Sequence, residues 1–354
     1  MKICTIVGAR PQFIKSAVVS KNIISNKYLH EIIIHTGQHF DENMSHIFFD
    51  QMEMRKPDYN LGINSLSPGA MVGRQLEQLE KILQKVKPDF VLVYGDTNST
   101  LAGALAGAQL DIPIAHVEAG LRSFNRSMPE EINRILTDHL SEICFVPTNN
   151  GFKNLVKEGI PSSKIYNVGD VMYDAAIYFG KIAEKKSKII KKLFLEPKNF
   201  ILATVHRQES TNDANNLKNI FSALEESPIK VIMPLHPRTK NALKRYDICP
   251  KGKIKLIDPL GYLDMLMLEK NACVIVTDSG GVQKEAFFNK VPCIILRNET
   301  EWIELIENNV STLVGLEKDK IIDAIFNFRS TNFDFSFYGT GEAGELICKT
   351  FQQY

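Results

Sequence analysis

The sequence predicts an α/β chain made of two similar, doubly wound parallel-sheet halves, and three observations lead there. Short apolar runs alternate with longer segments of helical periodicity. Most of these runs are apolar at every position, as strands covered by helices on both faces must be. The alternation is interrupted once, at the Lys-rich segment Lys181–Leu193, and then resumes, and 354 residues is length enough for about two domains. Strand–helix alternation of this kind builds a parallel sheet with helices on either side.

In the first half, near 1–170, the runs that read as strands are Lys2–Val7, Glu31–His35, Phe90–Tyr94, Ile114–Val117, Ile143–Val146 and Ile165–Val168. Between them Arg74–Lys87 reads as a helix, with Leu76, Leu79, Leu83 and Val86 at three- and four-residue spacing. Leu101–Leu110 is mostly Ala, Gly and Leu, small enough to pack close to a sheet. The Lys181–Leu193 segment reads as an exposed helix between domains, since a charge run is usually a solvated face. In the second half, near 171–335, the strands are Phe200–Val205, Lys230–Pro234, Lys253–Ile257, Val274–Thr277 and Cys293–Leu296, with Thr312–Val314 as a sixth. The end, 341–352, reads as a helix that crosses back onto the first half.

Composition narrows the function. Lys plus Arg number 42 and Asp plus Glu 41, a net charge of +1, which argues against binding nucleic acid through bulk charge. Apolar residues at 44% can bury a core, yet no run approaches a membrane span, and the apolar stretch at the N-terminus is too short for a signal peptide. The expectation is a cytoplasmic protein with no membrane partner. The six cysteines show neither C-x-x-C nor metal spacing and read as buried thiols. No nicotinamide fingerprint and no acid or His cluster at metal spacing is present, so neither metal nor cofactor is expected.

In such a fold a ligand belongs at the carboxyl ends of the strands, in a cleft between the halves, and the informative residues do follow strands. The first strand runs into Gly8-Ala9-Arg10-Pro11-Gln12-Phe13-Ile14-Lys15, where Arg10 and Lys15 flank a helix start that either receives an anion or is a plain turn. Asp96, in Gly95–Thr100, is either a cleft acid or a helix N-cap. Glu118 ends an apolar strand with no cap to make. Glu130 and Glu131 follow Pro129, where the helix dipole favours acids. Arg122, Arg126 and Arg134 lie in the same stretch. Acid–base chemistry needs carboxylates on opposed sides of a reacting carbon. In the second half His206-Arg207 and His236 end strands. In Thr277–Glu285, Ser279 and the two glycines Gly280 and Gly281 would present N–H groups at a helix start, suited to a diphosphate, with Glu285 a turn further on to accept from ribose hydroxyls.

Taken in order, GARPQFIK, TGQH (Thr36–His39), GDTNST, HVEAGLR, PEEINR, VGDVMYD (Val168–Asp174), HRQES and DSGGVQKEA resemble the non-hydrolysing UDP-N-acetylglucosamine 2-epimerases over nearly the whole chain. The resemblance implies two Rossmann-like domains around a cleft, GT-B-like, and a homodimer. It implies inversion at C2 of a UDP-2-acetamido sugar, through elimination of UDP to a glycal and its re-addition, without NAD or metal. Asp96, Glu118 and Glu130 resemble the proton-transferring acids, and His206 the residue that helps UDP depart. Arg10, Lys15, Arg134 and His236 look like substrate contacts, and Ser279, Gly280, Gly281 and Glu285 like the phosphate and ribose site. Gln38, His39 and Arg74 match an allosteric or specificity site of some members, although Phe40 and Asp41 depart from it. Arg207 is followed by Gln208 where relatives often have a second Arg. The loop GLRSFNRSMP is shorter by about two residues, and with TGQHFDENMSHIFF it is similar to epimerases of UDP-2,3-diacetamido-2,3-dideoxyglucuronate. A uronate needs a cation, and Arg122 or Arg126 would supply it. Other readings are a GT-B glycosyltransferase, a hydrolysing epimerase, and a UDP-sugar-binding regulator without turnover.

Overall fold

The structure is a computed structural model that describes residues 1–38, 54–333 and 336–354, with Arg10 and Phe337 described by their backbone alone. The chain forms two compact units, Met1–Tyr178 with Phe335–Tyr354, and Phe179–Asp334.

In unit 1 the strands are β1 (Lys2–Val7), β2 (His30–His35), β3 (Tyr59–Asn60), β4 (Phe90–Tyr94), β5 (Ile114–Val117), β6 (Ile143–Val146) and β7 (Ile165–Asn167). All pairings are parallel, in the order β3-β2-β1-β4-β5-β6-β7. Helices α1 (Arg10–Ile24), α2 (Pro68–Val86), α3 (Asn98–Gln109), α4 (Pro129–Leu140), α5 (Asn149–Lys157) and α6 (Val171–Lys186) follow β1, β3, β4, β5, β6 and β7. Strand order reverses between β1 and β4, which makes their carboxyl ends the switch point of a doubly wound sheet. β4, β5 and β6 are buried at every residue, and each large apolar side chain so covered contributes about 1.5–3 kcal/mol.

The small residues of α3 bring it against this sheet: a Cβ on Gly103 would stand 2.9 Å from Ile6 Cδ1 and Val93 Cγ1. On the other face the C-terminal helix Ala343–Phe351 packs on α1. Phe351 meets the rings of Phe90 and Phe145 edge-on at 5.3 and 5.8 Å. Asp174 of α6 holds the start of this helix, accepting from Ala343 N–H at 3.1 Å and Gly344 N–H at 2.8 Å. Burial pushes the Asp174 carboxyl up to about 6.

In unit 2 the strands are β8 (Phe200–Thr204), β9 (Lys230–Pro234), β10 (Ile254–Ile257), β11 (Val274–Thr277), β12 (Cys293–Ile295) and β13 (Ser311–Leu313). Their parallel order, β10-β9-β8-β11-β12-β13, repeats that of unit 1 without its seventh strand, and puts a second switch point between β8 and β11. The unit begins inside α6. The Lys-rich segment is therefore not one exposed helix: α6 ends at Lys186, and Ile189 and Leu193 of the short turn beyond it are buried in the core with Phe200 and Leu202. The cysteines also differ from expectation. Cys4, Cys144, Cys293 and Cys348 are buried, but Cys273 is half-buried and Cys249 exposed, since it lies in the polar stretch after Arg245 rather than in a strand.

Candidate active site

At the unit 1 switch point, Gly8 turns the chain from β1 into α1. A Cβ there would collide with Thr36 Oγ1 and Ser99 Oγ, so only glycine fits. Gln12 organises the turn. Its Oε1 accepts from Gly8 N–H at 2.8 Å and Ala9 N–H at 3.0 Å, and its Nε2 donates to Tyr94 O and Thr100 Oγ1, both at 2.9 Å. Those two amides serve Gln12 rather than an anion. The side chain of Arg10 lies outside what the structure describes.

Lys15 donates from its buried ammonium to Glu118 Oε2. Glu118 itself is held at φ +73°, a conformation that costs a non-glycine residue about 1–3 kcal/mol and persists only when surroundings enforce it. The enforcement is visible: Glu118 N–H and Ala119 N–H both donate to Phe145 O at 3.0 Å, and Lys15 fixes the carboxylate. Gly95 lies against the pair, since a Cβ there would stand 3.3 Å from both Glu118 Oε2 and Lys15 Nζ.

Asp96 is not the N-cap of α3. Thr97 takes that position, its Oγ1 accepting from Thr100 N–H at 3.3 Å. The Asp96 carboxylate, about one-third exposed, instead accepts from Arg134 Nε at 3.1 Å and Nη2 at 2.7 Å. Arg134 Nη1 also donates to Glu131 at 2.6 Å. The two acids at the start of α4 therefore divide their roles. Glu131 is buried and closes the preceding loop, accepting from Ser123 N–H and Phe124 N–H at 2.9 Å. Burial alone would push its carboxyl up, but the Ser123 amide and Arg134 outweigh this and hold it below the ordinary range. Glu130 is exposed at the helix start.

The other residues singled out in the sequence divide as follows. Arg122 cannot meet a substrate carboxylate. It is 3% exposed, with Nη1 donating to Asp138 at 2.7 Å and Nε and Nη2 donating to Glu158 at 2.7 and 2.6 Å. Arg126 is exposed. Gln38 Oε1 accepts from Ser99 N–H at 3.0 Å and Ser99 Oγ at 2.7 Å, tying it to the start of α3. Arg74 makes a surface pair with Glu77 at 3.2 Å, beside a concavity lined by Ile63, Asn64 and Gln78. His39 lies outside the described residues.

At the unit 2 switch point the organiser is Asp278, fully buried after β11. Its carboxylate accepts from His206 N–H at 3.0 and 2.9 Å and from Arg207 N–H at 2.9 Å, fixing the turn after β8. The His206 ring lies 5.2 Å from that of His236. His236 caps the helix Pro237–Arg245, its Nδ1 accepting from Arg238 N–H at 3.1 Å. Ser279 caps the helix Gly280–Phe288. Nothing lies within 4 Å of where a Cβ of Gly281 would be, so a ligand can approach this backbone closely. Trp302 Nε1 donates to Gly280 O at 3.0 Å, and its ring carries the buried Lys284 ammonium at 4.0 Å. Glu285 is buried on the same helix. Among the described residues no group of three His, Cys, Asp or Glu side chains is placed to hold a metal ion, and no helix is long and apolar enough to cross a membrane.

Gln12, Asp138 and Asp278 organise these turns, and the sequence singled out none of the three for a role. Gln12 did leave a signal, as the third helical residue after Ala9, the position of a capping box. Asp138 left none, because T-D-H-L in the last turn of a helix reads as a solvated face.

Twin doubly wound sheets, with acids at one switch point and an N–H-rich turn at the other, define a GT-B-like α/β enzyme. The chain belongs to the UDP-N-acetylglucosamine 2-epimerase family, whose model matches residues 21–352. It is 55% identical over 353 residues to a UDP-N-acetylglucosamine 2-epimerase homolog of Methanococcus maripaludis, covering 98% of each chain. It is 50% identical, over 99% of each chain, to the UDP-2,3-diacetamido-2,3-dideoxy-D-glucuronate 2-epimerase of Pseudomonas aeruginosa. The crystal structure of Methanocaldococcus jannaschii UDP-GlcNAc 2-epimerase in complex with UDP-GlcNAc and UDP matches over the full length of both chains, with a TM-score of 0.93 and 43% identity.

Proposed function

We propose that the protein inverts C2 of a UDP-2-acetamido sugar, converting UDP-GlcNAc reversibly to UDP-ManNAc by eliminating UDP to a 2-acetamidoglycal and adding it back. The observation that carries this reading is the pair of acids at the unit 1 switch point. Glu118 sits in an enforced left-handed conformation beside Gly95, and Asp96, the next residue, is aimed by Arg134. A C2 proton is not acidic, so departure of UDP must precede or accompany its removal, and a group on each face must move a proton. Asp96, Glu118 and Glu130 supply these groups. As the C1–O bond breaks, negative charge grows on UDP. His206 and the N–H groups at Ser279, Gly280 and Gly281 bind that charge better in the transition state than in the ground state. Glu285 accepts from the ribose, and Arg10, Lys15, Arg134 and His236 complete the substrate contacts. The family resemblance supports a homodimer working in the cytoplasm; light scattering that gives a monomer at working concentration would reject the dimer.

The test is incubation with UDP-GlcNAc in deuterated water. Deuterium entering C2 with UDP-ManNAc appearing is the expected result. Free sugar as the sole product would point to hydrolysis, and transfer only to an added acceptor would point to a glycosyltransferase; either rejects the reading.

A second reading, the same inversion on UDP-2,3-diacetamido-2,3-dideoxyglucuronate, is favoured by the 50% identity to the Pseudomonas aeruginosa enzyme and by exposed Arg126 in the shortened loop. With Arg122 committed to Asp138 and Glu158, Arg126 is the cation left for a uronate carboxylate. Arg126→Ala is expected to raise KM for the uronate about tenfold, the loss of one charge-assisted contact, and to leave the neutral sugar within about twofold. Equal effects on both substrates would remove Arg126 from that role.

A further inference from the structure

His116 is fully buried on β5, and both of its ring nitrogens face acceptors. Nε2 lies 2.7 Å from Gly95 O, and Nδ1 lies 2.7 Å from Asp138 Oδ1. A peptide carbonyl can only accept, so Nε2 donates. Asp138 also accepts from Gly120 N–H at 3.1 Å and from Arg122 Nη1 at 2.7 Å. The Arg122 guanidinium, always charged and 2.7 Å from Asp138 Oδ2, holds the Asp138 carboxyl in its ionised form. An ionised carboxylate also only accepts, so Nδ1 donates as well. A neutral imidazole has a single N–H, and a ring that donates from both nitrogens is a cation.

The neighbours of the pair are consistent with that charge. Arg122 and His116 balance Asp138 and Glu158, and from β6 the Cys144 thiol donates to Asp138 O at 3.7 Å. Both turns that carry the acids are tied to this pair. Gly95, at φ +63°, is the residue before Asp96, and its carbonyl is held by Nε2. Gly120, at φ +79°, is two residues after Glu118, and its N–H is held by Asp138 Oδ2.

We propose that His116 is a positively charged positioning residue for C2 inversion: donating to Gly95 O and to Asp138, it locks the Asp96 turn and the Glu118 turn into one rigid arrangement. The inference rests on the epimerase reading. His116 neither touches substrate nor exchanges a proton during the cycle.

The first measurement needs no turnover. In protein labelled with 15N at histidine, with His116 assigned by loss of its signals in His116→Gln, both ring nitrogens are expected at the protonated position under the assay conditions, because each donates to an acceptor. A neutral-ring pattern, with one protonated and one bare nitrogen, overturns the proposal. The second measurement is kinetic. The glutamine amide of His116→Gln can still donate to Gly95 O but brings no charge to Asp138. Folded His116→Gln is expected to lose about 10- to 100-fold in kcat, with KM within about threefold and the limbs of the kcat pH profile unmoved, since misplaced catalytic groups cost rate rather than binding. Wild-type kcat in a folded His116→Gln, or the loss of a limb, overturns the positioning role. A wild-type enzyme that inverts no UDP-sugar would defeat the epimerase reading instead, and the nitrogen signals would still decide the charge on His116.

Discussion

Glu118→Gln is expected to lower kcat by about 10²- to 10⁴-fold while UDP still binds with near-wild-type affinity, because the change removes a proton-transfer group and leaves the diphosphate contacts alone. It should also lower stability. Lys15 and Glu118 are a buried pair with side chains only 11% and 7% exposed, and removing one partner strands the other charge, which costs about 3–5 kcal/mol. The two effects separate in a double variant. Lys15→Met with Glu118→Gln removes the stranded ammonium, so thermal stability should recover much of the loss while activity stays low. Calorimetric melting and deuterium exchange at C2 measure the two quantities independently. Normal epimerisation by Glu118→Gln would end the assignment of Glu118 as an acid–base group. Recovery of activity in the double variant would mean that Glu118 serves only to neutralise Lys15.

How much was legible beforehand follows from what leaves a pattern. Phe90–Tyr94, Ile114–Val117 and Ile143–Val146 are buried at every residue, and their sequence bounds coincide with β4, β5 and β6. β3, Tyr59–Asn60, is two residues long and exposes Asn60, so it carries neither alternation nor an apolar run. Helix α2 starts at Pro68 rather than Arg74, because 67–70 are exposed and lie outside its apolar stripe. The candidate site divides along the same line. Strand-end residues such as Asp96, Glu118, His206 and Ser279 announce themselves by ending an apolar run with something polar. What holds them does not. Whether Asp96 caps a helix or pairs with Arg134 depends on contacts across 38 residues of chain, and the burial of Arg122 depends on Asp138 and Glu158 reaching it from α4 and from the end of α5. Charge spacing alone made Arg122 and Arg126 equivalent; the fold separates them.

Asp278 shows the same logic in unit 2, and its removal should have the second large effect. Two successive N–H groups, from His206 and Arg207, converge on one carboxylate that no solvent reaches. An anion is the natural acceptor there: two oxygens offer enough lone pairs for both donors, and a charged acceptor makes each bond about twice as strong as a neutral one. An asparagine oxygen in the Oδ2 position could still accept from both N–H groups, but the side chain would turn an NH2 group toward His206 N–H in the place of Oδ1. The NH2 group set against His206 N–H costs about 1–3 kcal/mol, and the charge assistance at the two remaining bonds is lost as well. Asp278→Asn is therefore expected to destabilise the protein by about 2–4 kcal/mol. Because the turn it fixes carries His206, kcat should fall by about tenfold or more under conditions where the variant is still folded. His206→Asn offers the comparison. It should lower kcat with little change in stability, since the backbone N–H that Asp278 accepts is retained. Urea unfolding and steady-state rates on both variants measure the split. Equal stability of Asp278→Asn and wild type would mean that the turn after β8 is fixed by its other contacts, Arg238 to His206 O at 2.9 Å and Thr239 to Val205 O, and not by the buried carboxylate.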